Sequence, residues 1–330
     1  MHSEIQMRIG RAITEKVFPG CVVGVVQKSG DRQVLSFGRF TYEKNSPEVR
    51  DESVYDLASI TKSIPTASLA ATLIESGKLR IKDSVKKYLP DLQHDHDATI
   101  EDLLCYRVHG TQLSKLPYKT FEEICTHALE NGFDGPPEES VYTNLPAFLL
   151  GIIIERVGGS TLDRLAQKQF FDPLRMIGTS FPPNMGLRKS HIAPTEIDDR
   201  RGEVRGLPHD ESAYVFTKAG RAVGHAGLFS TVPDLLNFLE ALLQGTLPAV
   251  LEAAKRGLGW QTEGMFLGSQ PRNRFGKTGF TGTSIVCDYE RGEGFVILSN
   301  RTYPKRPPDG SAMNAVRSDI ADIISRARLH

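Results

Sequence analysis

Cysteine is scarce in this chain: four in 330 residues (Cys21, Cys105, Cys125, Cys287), far apart and with no CxxC pair. That spacing reads as reduced, buried thiols in a cytoplasmic protein rather than as a disulfide framework. Charge of one sign is missing too. Lys plus Arg is 40 and Asp plus Glu is 40, so electrostatic capture of nucleic acid or of an anionic membrane is not indicated. The longest apolar run, Phe148 to Ile154, contains a glycine and is far shorter than the roughly 20 residues of a membrane helix. The opening stretch MHSEIQMRIGRAITEK has charged residues scattered through it and lacks the uninterrupted core of a signal peptide. No Walker or dinucleotide-type glycine pattern occurs, no Gly-x-Ser-x-Gly elbow, no repeat and no low-complexity tract. What remains is ordinary globular composition, 39% hydrophobic and 24% charged. The length suits about two domains at ~100–200 residues each, or one large unit. At this size folding removes roughly 75% of the chain's surface from water, so no metal or disulfide staple is needed.

Apolar positions Ile5, Ile9, Ala12, Ile13 and Val17 recur at helical spacing and predict a helix ending at Pro19-Gly20. Cys21–Gln27 and Gln33–Thr41, separated by Ser29-Gly30-Asp31, predict a β-hairpin. Between about 60 and 245 the signal is mainly helical: Ser63–Ser76, Phe121–Glu130, Leu145–Val157 and Leu162–Phe171. The stretch from Pro182 to Gly224, rich in Pro, Gly and charge, reads as irregular. At Thr231-Val-Pro-Asp234 a helix should start. Strands return at Phe275–Phe280, Thr283–Tyr289 and Phe295–Ser299, followed by a helix with Met313, Val316, Ile320, Ile323 and Ile324 on one face. The two ends together predict one sheet with terminal helices on it, formed by residues 1–60 and 246–330. Residues 61–245 would be an inserted, mainly helical part, with any active site where the two meet.

Ser59 stands just before a helical run with Lys62 three residues later, on the same face. A serine hydroxyl becomes a good nucleophile once a neighbouring base takes its proton, and a lysine can serve if burial keeps it neutral. Ser-x-x-Lys alone is weak. Ser84-Val-Lys-Lys87 also fits and reads as a charged turn, and Ser59 by itself reads as readily as a helix cap with a solvated lysine. Tyr142-Thr-Asn144 is the chain's one Tyr-x-Asn, ahead of the Leu145 helix. Lys277-Thr-Gly279 is its one Lys-Thr-Gly, on the first late strand. Singly, Tyr142 reads as a packed aromatic, Asn144 as a cap and Lys277 as a solvated edge-strand lysine. In this order and on these elements, the three match an acyl-transfer site.

This set resembles the signatures of the penicillin-recognising serine hydrolases, and the Tyr in the second motif resembles their class C β-lactamase branch with its related D-alanyl-D-alanine peptidases and esterases. Tyr55–Lys62, Phe148–Arg156, Phe171–Met176, Gly224–Ser230 and Gly276–Thr283 resemble the same branch, so the likeness spans nearly the whole chain. It implies an α/β fold of the α+β type, the β-lactamase/transpeptidase-like fold, with a central antiparallel sheet, terminal helices and a helical insertion. It implies Ser59 as the acylated nucleophile and proton transfers shared by Lys62 and Tyr142, with Tyr142 favoured as the base. Lys277 would keep the local potential positive, and Asn144 would hydrogen-bond substrate and Lys62. Thr278, Gly279 and Phe280 would bind substrate, the backbone N–H groups of Ser59 and Phe280 forming the oxyanion hole. No cofactor or metal is implied; His94-Asp-His96-Asp97 reads as a solvated loop. His225 should need a local hydrogen bond, and His209-Asp-Glu211 resembles a structural loop of the same branch and is given no catalytic role.

The pattern departs from its relatives in three places. Leu103-Leu104 is followed by Cys-Tyr-Arg-Val-His-Gly110, one residue longer than the usual Thr-His-Thr-Ser-Gly-like stretch. Pro65 should kink or tighten the nucleophile helix. Lys277 stands where many esterase-like members have His or Trp, which leans toward carboxylate-bearing substrates. The expected activity is that of a carboxylesterase working on a small-molecule ester or amide, with β-lactamase or D-alanyl-D-alanine carboxypeptidase activity, acyl transfer, or a non-turnover penicillin-binding sensor as alternatives. Sequence gives no oligomeric state.

Overall fold

The computed structural model describes residues 1–116, 120–182 and 189–327. Five antiparallel strands form the main sheet: β1 (Gly20–Gln27), β2 (Arg32–Gly38), β3 (Arg274–Thr278), β4 (Ser284–Asp288) and β5 (Glu293–Ser299), in the spatial order β2-β1-β5-β4-β3. The first and last parts of the chain meet where β1 pairs with β5, Val23 opposite Ile297. Because side chains alternate across a strand, β1 serves two cores. Cys21, Val23 and Val25 join Phe295 and Ile297 against α1 (His2–Thr14) and α5 (Ser311–Arg326), through Ile5, Ile9, Val316 and Ile320. Val22 and Val26 face the other way, with Val296 and Leu298, toward α4 (Val232–Leu243), labelled after α2 (Ser68–Glu75) and α3 (Leu145–Gly158). Gly24 lets α4 approach: a Cβ there would lie 2.3 Å from Val232. Each fully buried Val, Leu or Ile contributes roughly 1.5–3 kcal/mol, so a β1 buried on both faces ties the chain ends together strongly.

The expected helix start before α4 is present, with Thr231 accepting from the Asp234 N–H. α3 is buried nearly throughout and ends at Gly159 in the left-handed conformation. The repeat of Ser-x-x-Lys at Ser84 is a turn in which Ser84 caps Lys86 N–H and Lys87 pairs with Asp83. Two expectations need correction. Ser63–Ser76 is not one continuous helix, because Ile64 adopts φ −119° and ψ 110° and regular α-helix begins at Ser68; the proline after Ile64 disfavours the α region there. The 182–224 stretch is not wholly irregular, since it holds a small hairpin (Glu196–Asp198 with Gly202–Val204) and a helix (Glu211–Lys218) started by Asp210. Its turn- and charge-rich composition hid elements of only three to eight residues. No single helix among the described residues is long and apolar enough to cross a membrane.

Candidate active site

The nucleophile segment is held at several points. Tyr55-Asp56 pairs with Phe229-Ser230. The Asp56 carboxylate accepts from the N–H of Ala58 at 2.8 Å and of His209 at 2.7 Å. Ala58 has φ +48°, a left-handed conformation costing a non-glycine residue roughly 1–2 kcal/mol. Ser59 follows in a short 3₁₀ turn, Ala58–Lys62, where residues three apart eclipse each other. Lys62 Nζ accordingly lies 2.9 Å from Ser59 Oγ and donates to the His225 carbonyl at 2.7 Å. Lys62 is 1% exposed, and burial lowers its pKa to about 7 against an opposing pull from the Asp210 charge.

Tyr142 and Lys277 close on the same point. Lys277, on edge strand β3, is buried, and its amine has no hydrogen-bond partner among the described residues. It sits between two rings instead, 4.7 Å from the Tyr142 centroid and 4.8 Å from that of Tyr106. Burial and the neighbouring Lys62 push its pKa down. The two tyrosine rings pack 5.2 Å apart, and Lys62 Nζ is 5.3 Å from the Tyr142 centroid. Half of Tyr142's surface stays open, but the chain crowded about its phenol pushes the pKa up, with the Ser59 hydrogen bond pulling the other way. Tyr106 comes from the stretch after Leu104, which through this ring packs against Tyr142 and Lys277.

Asn144 reaches Asp210 rather than Lys62, its amide donating to the carboxylate at 3.0 Å. Asp210 also accepts from Ser212 Oγ at 2.6 Å and Ala213 N–H at 2.9 Å, and His225 Nε2 lies 3.2 Å away. These contacts and the adjacent imidazole hold its carboxyl well below the usual carboxylate range despite burial. His225 therefore has the local hydrogen bonds its glycine-flanked loop called for.

The cleft over these groups has a volume of about 600 Å³ and is lined by Ser59, Tyr142, Asn144, Thr278, Gly279 and Phe280 among others. The turn after β3 is fastened to the nucleophile strand: Thr281 Oγ1 donates to the Asp56 carbonyl at 2.7 Å and Thr283 Oγ1 to the Leu57 carbonyl at 3.1 Å. The expected site residues thus all converge. Sequence reasoning missed Tyr106, Arg301 and Arg317 and gave Asp210 no role beyond a structural loop; all four are next to the cleft or line it. Signals existed for two of them: Asp210 is an acidic residue just ahead of a short helix, and Arg317 interrupts the apolar stripe of the last helix. Among the described residues no cluster of three His, Cys, Asp or Glu side chains is placed to hold a metal.

The family model named Beta-lactamase matches residues 8–317, nearly the whole chain. The chain belongs to the Beta-lactamase family. An Escherichia coli K12 relative named "Putative D-alanyl-D-alanine carboxypeptidase" is 29% identical over 307 residues, covering 76% of this chain and 70% of its own length. A Bacillus subtilis relative named N-acetylmuramyl-L-alanine amidase is 25% identical over 352 residues, covering 87% of this chain and 78% of its own. The crystal structure of a β-lactamase/D-alanine carboxypeptidase from Pseudomonas syringae superposes with a TM-score of 0.76 at 19% identity, covering 99% of both chains. This Beta-lactamase family chain therefore has the β-lactamase/transpeptidase fold its motifs implied, and it is a serine hydrolase.

Proposed function

We propose that this hydrolase works through an acyl-enzyme on Ser59, in a cleft between a sheet part (1–60 and 246–330) and a helical part (61–245). The observation that carries this reading is the 2.9 Å contact between Ser59 Oγ and an amine that burial holds near neutrality. Neutral Lys62 takes the Ser59 proton as Oγ attacks the acyl carbonyl. The sequence pointed to Tyr142 as the base. The electrostatics favour the amine, because the phenol is pushed toward its protonated form; the proton taken from Ser59 then passes from Lys62 by way of the phenol to the leaving group, which restores both residues. The N–H groups of Ser59 and Phe280 face the developing oxyanion, and water then releases the acyl group.

A simple carboxylic ester is the least demanding substrate for this machinery and is our first reading. A second reading, a substrate bearing a carboxylate such as a D-alanyl peptide or a β-lactam, is favoured by the basic groups beside the cleft, with a bound carboxylate drawing Lys277 back to its charged form against the burial that pushes its pKa down. Among the described residues Lys277 has no hydrogen-bond partner, and Arg301 is held by the carbonyls of Phe280 and Asp309 rather than by a carboxylate. Names among the relatives support it. A p-nitrophenyl ester series run beside nitrocefin and a D-alanyl-D-alanine peptide separates the two. Rapid nitrocefin or peptide turnover with no ester cleavage would overturn the ester preference. A Ser59→Ala protein that still took up an active-site serine probe would overturn the mechanism.

A further inference from the structure

Arg317 lies on the inner face of α5, 5% exposed, among Met313, Val316 and Ile320. A buried guanidinium ordinarily has a carboxylate beside it, and among the described residues none lies within ion-pair distance of this one. Its partners are two backbone carbonyls and one amide: Nη2 donates to Gly279 O at 2.9 Å and to Thr283 O at 2.8 Å, and Nη1 donates to Asn314 Oδ1 at 2.9 Å. Burial lowers its pKa to about 9, so it is a cation at neutral pH.

The choice of carbonyl matters. Gly279 O and the Phe280 N–H belong to the same peptide plane and point in opposite directions. A cation fixed on the carbonyl side therefore turns the N–H toward the cleft and draws electron density from the amide. A hydrogen bond with a charged partner is roughly twice as strong as a neutral one, and bonds in sequence polarise each other. The same side chain secures Thr283 O, which also accepts from Gly279 N–H at 2.8 Å. Arg301 adds a second cation one peptide further on, its Nε donating to Phe280 O at 2.7 Å.

We propose that Arg317 is a positioning residue for the oxyanion hole: from the far side of the Gly279–Phe280 peptide it aims the Phe280 N–H and makes it a stronger donor. This rests on the acyl-enzyme reading above, with Phe280 N–H as an oxyanion donor. The test uses a neutral p-nitrophenyl ester and its thiono counterpart, in which sulfur replaces the carbonyl oxygen and accepts hydrogen bonds poorly. The measured quantity is the oxo-to-thiono ratio of acylation rates, for the wild type, Arg317→Gln and Arg317→Lys. Losing one oxyanion donor outright costs about 10²–10³ in rate. With the donor kept but unpolarised, Arg317→Gln should lose about tenfold on the oxo ester with little change in KM, and its ratio should fall toward one. Arg317→Lys, which keeps a charge on a different reach, should fall in between. A ratio near one in the wild type would overturn the oxyanion reading itself. A large wild-type ratio unchanged in both variants would overturn the role of Arg317 alone. A loss confined to carboxylate-bearing esters would likewise overturn it and make Arg317 a substrate anchor. Should Arg317→Gln fail to fold, Arg317→Lys and restoration of rate to Arg317→Ala by added guanidinium decide the question: no change of ratio in the first and no rescue in the second refute it.

Discussion

The acid limb of acylation should lie near pH 7 and should belong to Lys62. An ordinary lysine with pKa 10.5 would be neutral in only about one molecule in three thousand at pH 7. Burial brings the Lys62 amine to about 7, so about half the molecules hold a competent base there. The gain in base availability is on the order of 10³, equivalent to ~5 kcal/mol taken from the solvation of the ammonium. Below the limb, the acylation rate should fall about tenfold per pH unit as the amine protonates. The assay is the burst of p-nitrophenol from a neutral ester between pH 5.5 and 9, whose rate reports acylation before water acts. Lys62→Met keeps the length of the side chain and removes the base, so the burst rate should drop by about 10²–10⁴ and the limb should vanish. The variant should still fold: replacing a buried charge-bearing group by an apolar one is often neutral, set against roughly 1–3 kcal/mol for the unpaired His225 carbonyl. A flat wild-type profile, or a limb that survives in Lys62→Met, would refute the assignment.

Tyr142→Phe removes the phenol that hydrogen-bonds Ser59 and should lower kcat by about 10²–10⁴, most for poor leaving groups that need a proton; undiminished turnover of an alkyl ester would count against it. Asp210→Asn deletes the anion whose field holds the Lys62 pKa up, so the acylation limb should move to lower pH, and an upward shift would contradict that electrostatic picture. Glu293 is buried in β5 with a pKa raised to about 7 from 4.5, chiefly by burial. Its unfolded form ionises first as pH rises, so stability should fall between pH 4.5 and 7 and then level off. Glu293→Gln should remove that slope and gain on the order of 2 kcal/mol over wild type between pH 5 and pH 8 in chemical denaturation; parallel stability curves would refute it.

Much of this architecture was legible because local and global signals agree. The opening hairpin and the closing strands are β-branched runs bounded by turn residues, and burial on both faces explains why β1 reads as continuous rather than alternating. The nucleophile, Tyr142 and Lys277 were legible as short motifs whose chemistry makes sense together. What could not be read was which polar residues the motifs lean on. Asp210 touches Asn144 from 66 positions away, and Arg317 reaches Gly279 across 38. No spacing rule links residues joined only by tertiary packing. The kink at Ile64 was half legible: Pro65 announced a break, but its placement lets Ser63 Oγ donate to Gly259 O and Thr66 Oγ1 to Gly224 O, contacts no local rule supplies.

Those contacts bear on how a strained residue can sit beside the nucleophile. Left-handed Ala58 would relax if its segment were free, and the chain prevents that from several sides at once. Asp56 holds the Ala58 N–H through one carboxylate oxygen and the His209 N–H through the other, and burial raises its pKa to about 6. His209 directly precedes Asp210, whose carboxylate bonds Asn144 and lies beside His225. The His225 carbonyl in turn receives the Lys62 amine. One run of hydrogen bonds thus leads from the backbone before Ser59 to the base that serves it. Strain in such a segment persists only while its surroundings over-determine it. Loosening any member of this run should therefore separate Oγ from Nζ before it unfolds the sheet, because the core between the sheet and α1 and α5 holds none of these residues, even though Leu57 and Ile60 join the core on the other face.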